Sequence, residues 1–162
     1  MPSRHRRRTI PAFSLIELTI VVVILAIIAA VAIPRMTVAS SSAKHAQLQR
    51  FVHDTKVLIE QTRAMEGEYP ATPDIDAWFG NSRTALTPYP GHGTGVKATS
   101  ETGGKTHPAV KLSGASNEPY WYNPENGAFR VRIPDQGSAE ANIALYNYLN
   151  GSSIADLADR LD

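Results

Sequence analysis

The sequence predicts an α+β fold: a long N-terminal helix, membrane-spanning in its first half and amphipathic in its second, packed on a small antiparallel β-sheet and followed by short C-terminal helices. Three observations carry this expectation. Residues 13 to 33 form an almost unbroken apolar run. Leu48, Phe51, Val52, Thr55, Leu58, Ile59, Thr62 and Met65 recur at spacings of three and four. Phe129, Val131 and Ile133 alternate with Arg130 and Arg132 behind a turn-forming Asn-Pro-Glu-Asn-Gly.

Charge and composition narrow the function classes. Formal net charge is +1, but Arg4, Arg6, Arg7 and Arg8 supply four of the 16 cations, leaving 12 against 15 anions in the rest of the chain. That mildly acidic remainder has no basic footprint for nucleic acid, so no nucleic-acid partner is expected. The chain contains no cysteine, which rules out a disulfide framework, a thiolate metal site and a cysteine nucleophile.

The first element is the apolar run. From Phe13 to Ile33 the only polar residues are Ser14, Glu17 and Thr19. As a helix this run covers ~31 Å, enough to cross a hydrocarbon core of about 30 Å. Arginines before it place the N-terminus in the cytoplasm and everything after Pro34 on the far side. Two plainer readings compete: an uncleaved signal-anchor, or a signal peptide cut after Ala30-Val31-Ala32 that releases a secreted binding domain. Glu17 counts against both, because a carboxylate inside a span costs up to ~2.5–3.5 kcal/mol at the helix centre and needs a reason. A position close enough to the interface to stay wet is the bland reason.

The order of features from residue 4 to residue 36 is specific: a basic leader, a small residue, Phe13-Ser14-Leu15-Ile16-Glu17, an apolar stretch, then Pro34. This resembles the N-terminus of type IV pilins and of type II secretion pseudopilins. The resemblance implies removal of residues 1–12 by a prepilin peptidase between Ala12 and Phe13, N-methylation of Phe13, and assembly roles for Glu17, the fifth mature residue, and Pro34, the twenty-second. The residue before the cut is Ala12, preceded by Pro11, where the family usually has glycine. Ala26 stands where a mid-run glycine is common. Cleavage creates a cationic amine at the embedded helix end, and that amine and Glu17 each need a partner. Glu17 is expected to point away from its own N-terminus and to meet the amine of a neighbouring subunit.

The helix resumes after Pro34 and is expected to run to Glu66, with Gly67 and Pro70 as its stop. Ser40, Ser41 and Ser42 are positions where it could loosen. Residues 80 to 116 hold seven of the 11 glycines and show no apolar period, which reads as a long loop. Within it GGKT, residues 103 to 106, superficially matches the end of a phosphate-binding loop, but Thr99 stands where glycine is needed and His107-Pro108 follow where a helix should begin. His92 and His107 read as loop histidines rather than ligands.

The head is expected to contain a β-hairpin within residues 119 to 134, a third short strand at Ala109 to Leu112, a helix from Ser138 to Gly151, and a last short helix from a capping-box-like Ser153/Asp156 to Leu161. The aromatic cluster around Trp121 is expected to be core packed on the long helix. EGEYPATP and YWYNPENG also look like pseudopilin segments. Major pseudopilins often use a calcium loop near the C-terminus; Asp135, Gln136, Gly137 and Glu140 are acidic and turn-like but do not match a ligand spacing, so calcium is left open and no cofactor or metal is predicted.

The division that follows is a leader at 1–12, a transmembrane and assembly segment at 13–34, an amphipathic half-helix at 35–66 and a pilin-like head at 67–162. The resemblance implies a structural subunit and not an enzyme: a homopolymer with other pilin-like subunits, built at the inner membrane by an assembly platform after prepilin peptidase cleavage. In a pseudopilus such a filament drives protein transport; in a pilus it serves adhesion, motility or DNA uptake. No clustered nucleophile, acid–base pair or metal set marks the head as a tethered enzyme.

Overall fold

The structure is a computed structural model that describes residues 13–80, 95–99, 103–114 and 118–162, with side chains left undescribed at 33–39. Two compact units divide the chain, Met1–Ser41 and Ser42–Asp162. The leader, Pro11, Ala12 and His92 lie outside the described residues.

In the first unit the described backbone after Ser14 is entirely helical. It forms the beginning of α1 (Leu15–Glu66), whose assignment continues unbroken through Pro34. From Leu15 to Ala32 mean hydropathy is 3.0 and none of the segment is buried. Leu15 is 80% and Val21 47% exposed. About a dozen large apolar side chains without cover correspond to a drive on the order of 20 kcal/mol to leave water.

The second unit builds a core on the last turns of α1. Leu48, Phe51, Val52, Thr55 and Ile59 are buried, so the predicted face is the packed one, while Met65 at its end is 79% exposed. Gly67 adopts φ 85° and its N–H donates to the Arg63 carbonyl at 2.8 Å, the left-handed stop that glycine permits. A short helix that the sequence reading lacked follows, α2 (Ile75–Phe79), N-capped by Asp74. Ile75 is buried and Phe79 lies 5.0 Å from the Phe51 ring.

The sheet has three strands in the order β1 (Val96–Ala98), β2 (Tyr120–Asn123), β3 (Ala128–Val131). β2 and β3 form the predicted antiparallel hairpin, with Tyr120 opposite Val131 and Tyr122 opposite Phe129. Tyr120, Tyr122, Phe129 and Val131 join Phe51 and Val52 in the core. Tyr120, Tyr122 and Phe129 are therefore core on the long helix, as expected, whereas Trp121, paired with Arg130, is buried outside that cluster beside Val110 and Arg132.

Three expectations need correction. The sheet is mixed, because β1 pairs with β2 in parallel. β1 lies in the stretch read as loop: a three-residue edge strand can be made by its partner without an apolar period of its own. Residues 109–112 contribute only a single bridge, Leu112 to Ile133, since Pro108 has no N–H, the Val110 carbonyl accepts from Arg132 Nε and Lys111 turns inward. Third, the alternation of Phe129, Val131 and Ile133 with arginines reads as a half-buried strand, yet the arginines do not face solvent: Arg130 in β3 and Arg132 just after it are 8% and 6% exposed.

α3 (Ala139–Asn150) begins at Ser138, whose hydroxyl accepts from the Ala141 N–H, and ends at Gly151 in the left-handed region, as predicted. The last predicted helix is absent: residues 155–158 form bends and turns. Asp159 Oδ2 takes the amides of Ala155 and Asp156, Asp156 Oδ1 takes that of Ala158, and Lys111 Nζ donates to the carbonyls of Leu157 and Asp159. Backbone groups that a helix would pair internally are thus engaged by side chains.

Candidate functional site

Ser14 opens α1: its carbonyl accepts the Leu18 N–H at 3.2 Å, and its own N–H donates to Glu17 Oε2 at 3.1 Å. This is the glutamate half of a capping box, in which the third helical residue reaches back to the residue before the helix. Glu17 also places its negative charge in the first turn, where the helix dipole favours it. The expectation that Glu17 points away from its own N-terminus is therefore corrected. Its carboxylate turns back to within one residue of the Phe13 nitrogen. The signal for it in the sequence is the Ser-x-x-Glu spacing of residues 14 and 17. Phe13 is 80% exposed. Pro34 lies within α1 with its side chain undescribed, and Ala12 is outside the described residues, so the structure brings Ser14 and Glu17 together and leaves Pro34 apart in sequence.

The head holds a second constellation, which the sequence reading missed. Arg130 Nε donates to His107 Nδ1 at 3.3 Å, so that nitrogen is the acceptor and Nε2 carries the proton donated to Asp162 Oδ1 at 2.8 Å. Asp162 Oδ2 receives Arg130 Nη2 at 2.8 Å, closing a three-residue ring, and the Tyr146 hydroxyl sits 3.1 Å from Nδ1. Burial and the Arg130 guanidinium hold the His107 imidazole below its usual value. Burial pushes the Asp162 carboxyl up, but Arg130 and His107 outweigh it and leave it below the usual carboxylate range. Beside the ring, Lys111 Nζ is enclosed by the carbonyls of Pro108, Leu157 and Asp159. With His107 fully buried, this network fastens the C-terminal segment to Arg130 of β3 and Tyr146 of α3. Separation of 23 and 32 residues between its partners hid it from sequence reasoning.

The other motifs resolve structurally. In GGKT, Gly103 and Gly104 take φ of 82° and 70°, and the Lys105 carbonyl accepts from Asn123 and Asn126, docking the turn on the hairpin. Asp135 Oδ1 accepts from the Gly137 N–H and Asn142 Nδ2, and these two bonds hold its carboxyl below the usual range. Among the described residues no three His, Cys, Asp or Glu side chains are grouped to hold a metal.

A family model for the prokaryotic N-terminal methylation motif matches residues 7–33. No curated protein and no solved structure matches the chain. The matched stretch contains Phe13, the Ser14–Glu17 cap and the start of the one described helix long and apolar enough to cross a membrane. The family it defines is structural, and its motif implies prepilin peptidase processing and assembly among pilin subunits. Together with an α+β fold of long apolar helix, small sheet and C-terminal helix, the motif supports a type IV pilin-like, prepilin-cleaved, membrane-anchored protein.

Proposed function

We propose that this chain is a non-enzymatic structural subunit of a pilus-like or type II secretion pseudopilus filament, assembled from the inner membrane after cleavage between Ala12 and Phe13 and methylation of the new terminus. The observation that carries this reading is the methylation motif over residues 7–33, placed directly on an apolar helix that has no cover of its own. In the membrane lipid covers that helix; in a filament the same helices of neighbouring subunits replace lipid. The new amine of Phe13 and the carboxylate of Glu17 then neutralise each other, within a subunit or between two, and Pro34 marks the place where the assembly segment passes into the helix that carries the head. The pseudopilin-like EGEYPATP and YWYNPENG segments favour the secretion version. No metal or cofactor enters this role.

The test is intact mass and N-terminal sequencing of protein purified from membranes with and without active prepilin peptidase. A terminus at Phe13, one methyl group heavier and lost without the peptidase, is expected. A terminus at Ile33 would instead indicate a secreted domain, and an uncut chain a signal-anchor.

A further inference from the structure

Within the unit Ser42–Asp162, charge is segregated along α1 and the segment that follows it. Lys44, His45, Arg50, His53 and Lys56 come first with one carboxylate, Asp54; Glu60, Glu66, Glu68, Asp74 and Asp76 follow with one cation, Arg63. The basic end is shaped. Between α1 and the C-terminus of α3 lies a groove of ≈ 390 Å³ whose walls include Gln49, Arg50, His53, Lys56, Leu149 and Gly151, with no carboxylate among its described lining residues. Lys56 Nζ and Gln49 Nε2 are already committed to the carbonyls of Asn150 and Tyr148, so they hold the groove's two walls together. Arg50 is different: its side chain is 85% exposed and reaches Asp54 only at 3.7 Å, the kind of surface contact that contributes almost nothing. His53 is exposed beside it.

The acidic end is also exposed, at Glu66, Glu68, Asp74 and Asp76. Arg50 and Glu66 are separated by ~24 Å of helix, several times the screening length of about 8 Å at physiological salt. Arg50 therefore does not neutralise the Glu66–Asp76 strip within one copy, while Lys56 lies one turn from Glu60. A copy that offers its groove to a neighbour's acidic strip still presents its own acidic strip to the next. Such a contact between different surfaces propagates instead of closing into a symmetric pair.

We propose that the groove between α1 and α3 receives the Glu66–Asp76 segment of a second copy of this chain, joining heads groove to strip in a repeating contact. This interface rests on the filament reading above. Charge complementarity selects the occupant: a groove rimmed by exposed Arg50 and His53, with Lys56 tied to Asn150 behind them, against a segment with no cation and four carboxylates, of which Asp74 also caps α2.

The chain has no cysteine, so an introduced pair is the only source of disulfide cross-links. Full-length chain carrying His53→Cys and Glu68→Cys, produced with prepilin peptidase and the assembly machinery, is expected to give a ladder of covalent multimers on mild oxidation. Either single cysteine should stop at dimers. Adding Arg50→Glu should lower the ladder about tenfold, and adding Glu66→Arg to that should largely restore it. All four positions are exposed, so the fold is not at stake. Filaments visible by electron microscopy, with leader removed but no ladder and no effect of Arg50→Glu, would overturn the interface and leave the filament reading standing. An uncleaved chain without polymer would overturn both.

Discussion

Glu17 carries a local duty and a long-range one, and substitutions can separate them. Its carboxylate accepts the Ser14 N–H; in the proposed filament it also answers a cationic amine. Glu17→Gln keeps an acceptor for the cap and removes the charge, so it should insert into membranes normally and yet fail to polymerise. Glu17→Ala should lose the cap as well, at ~0.5–2 kcal/mol of local helix stability. Filament yield by electron microscopy, set against the membrane-bound fraction, reads both effects; normal filaments from Glu17→Gln would reduce this carboxylate to a cap. His107 makes a different residue-scale prediction. Its folded pKa is lowered, so the unfolded chain binds a proton that the folded protein refuses, and stability falls as pH drops below ~6.5. The lowered Asp162 pKa adds a loss in the same direction, at more acid pH, as its carboxylate is protonated. Lys56, brought down to about 8 first by burial and then by Arg130, acts on the other side: stability should rise from pH ~8 toward 10 as the folded protein sheds that proton first. Denaturant midpoints of the head measured against pH check all three, and His107→Gln should flatten the loss that sets in below pH ~6.5.

Elements are joined in the head by side chains that complete each other's backbone bonds. Asn150, at the end of α3, accepts from the Val131 N–H at 2.7 Å and donates to the Val131 carbonyl at 2.9 Å, standing in for a neighbouring strand on the free edge of β3. Asn150→Ala strands both buried groups and should cost ~2–5 kcal/mol, more than an ordinary buried asparagine on a helix. The hairpin turn depends on Gly127, where φ is 71° and an added Cβ would lie 2.3 Å from Tyr69 Cε1. Gly127→Ala should therefore destabilise the head by at least ~1–2 kcal/mol from backbone strain alone. Combining it with Tyr69→Ala relieves the clash but not the strain, so in thermal unfolding Gly127→Ala should cost less in the Tyr69→Ala background than in the wild type, without falling to zero. Full recovery would mean that the left-handed conformation matters little at this turn.

At the scale of the whole molecule, the two units call for different surroundings. Residues 15–32 bury nothing, whereas Ser42–Asp162 has its own core from Leu48 to Ile154. A chain beginning at Ser42 should accordingly be soluble and unfold cooperatively, while the full chain should remain with membranes through alkaline washing and be released only by detergent. Fractionation with far-ultraviolet circular dichroism of the truncated head tests both statements. A truncated head that aggregates would show that the first unit contributes to the fold of the second.

How much of this was legible in advance follows from the range of the forces involved. The apolar run, the α1 face through Leu48 and Ile59, the stop at Gly67, the hairpin around Gly127 and the bounds of α3 are written in periodicity and in local turn or cap chemistry, which act over a few residues. The Ser14–Glu17 cap belonged to that class too and was legible, though overlooked. The parallel pairing of β1 and the ring of Arg130, His107 and Asp162 were not, because each depends on groups distant in the chain, and the missing last helix combines the local amide bonds of Asp156 and Asp159 with the distant Lys111. Local patterning is enough to place a helix suited to lipid ahead of a small α+β head. Cover on both faces of the β2–β3 hairpin arises only on folding, since burying arginines and a lysine becomes tolerable once Asp162 and the surrounding carbonyls are in place to receive them.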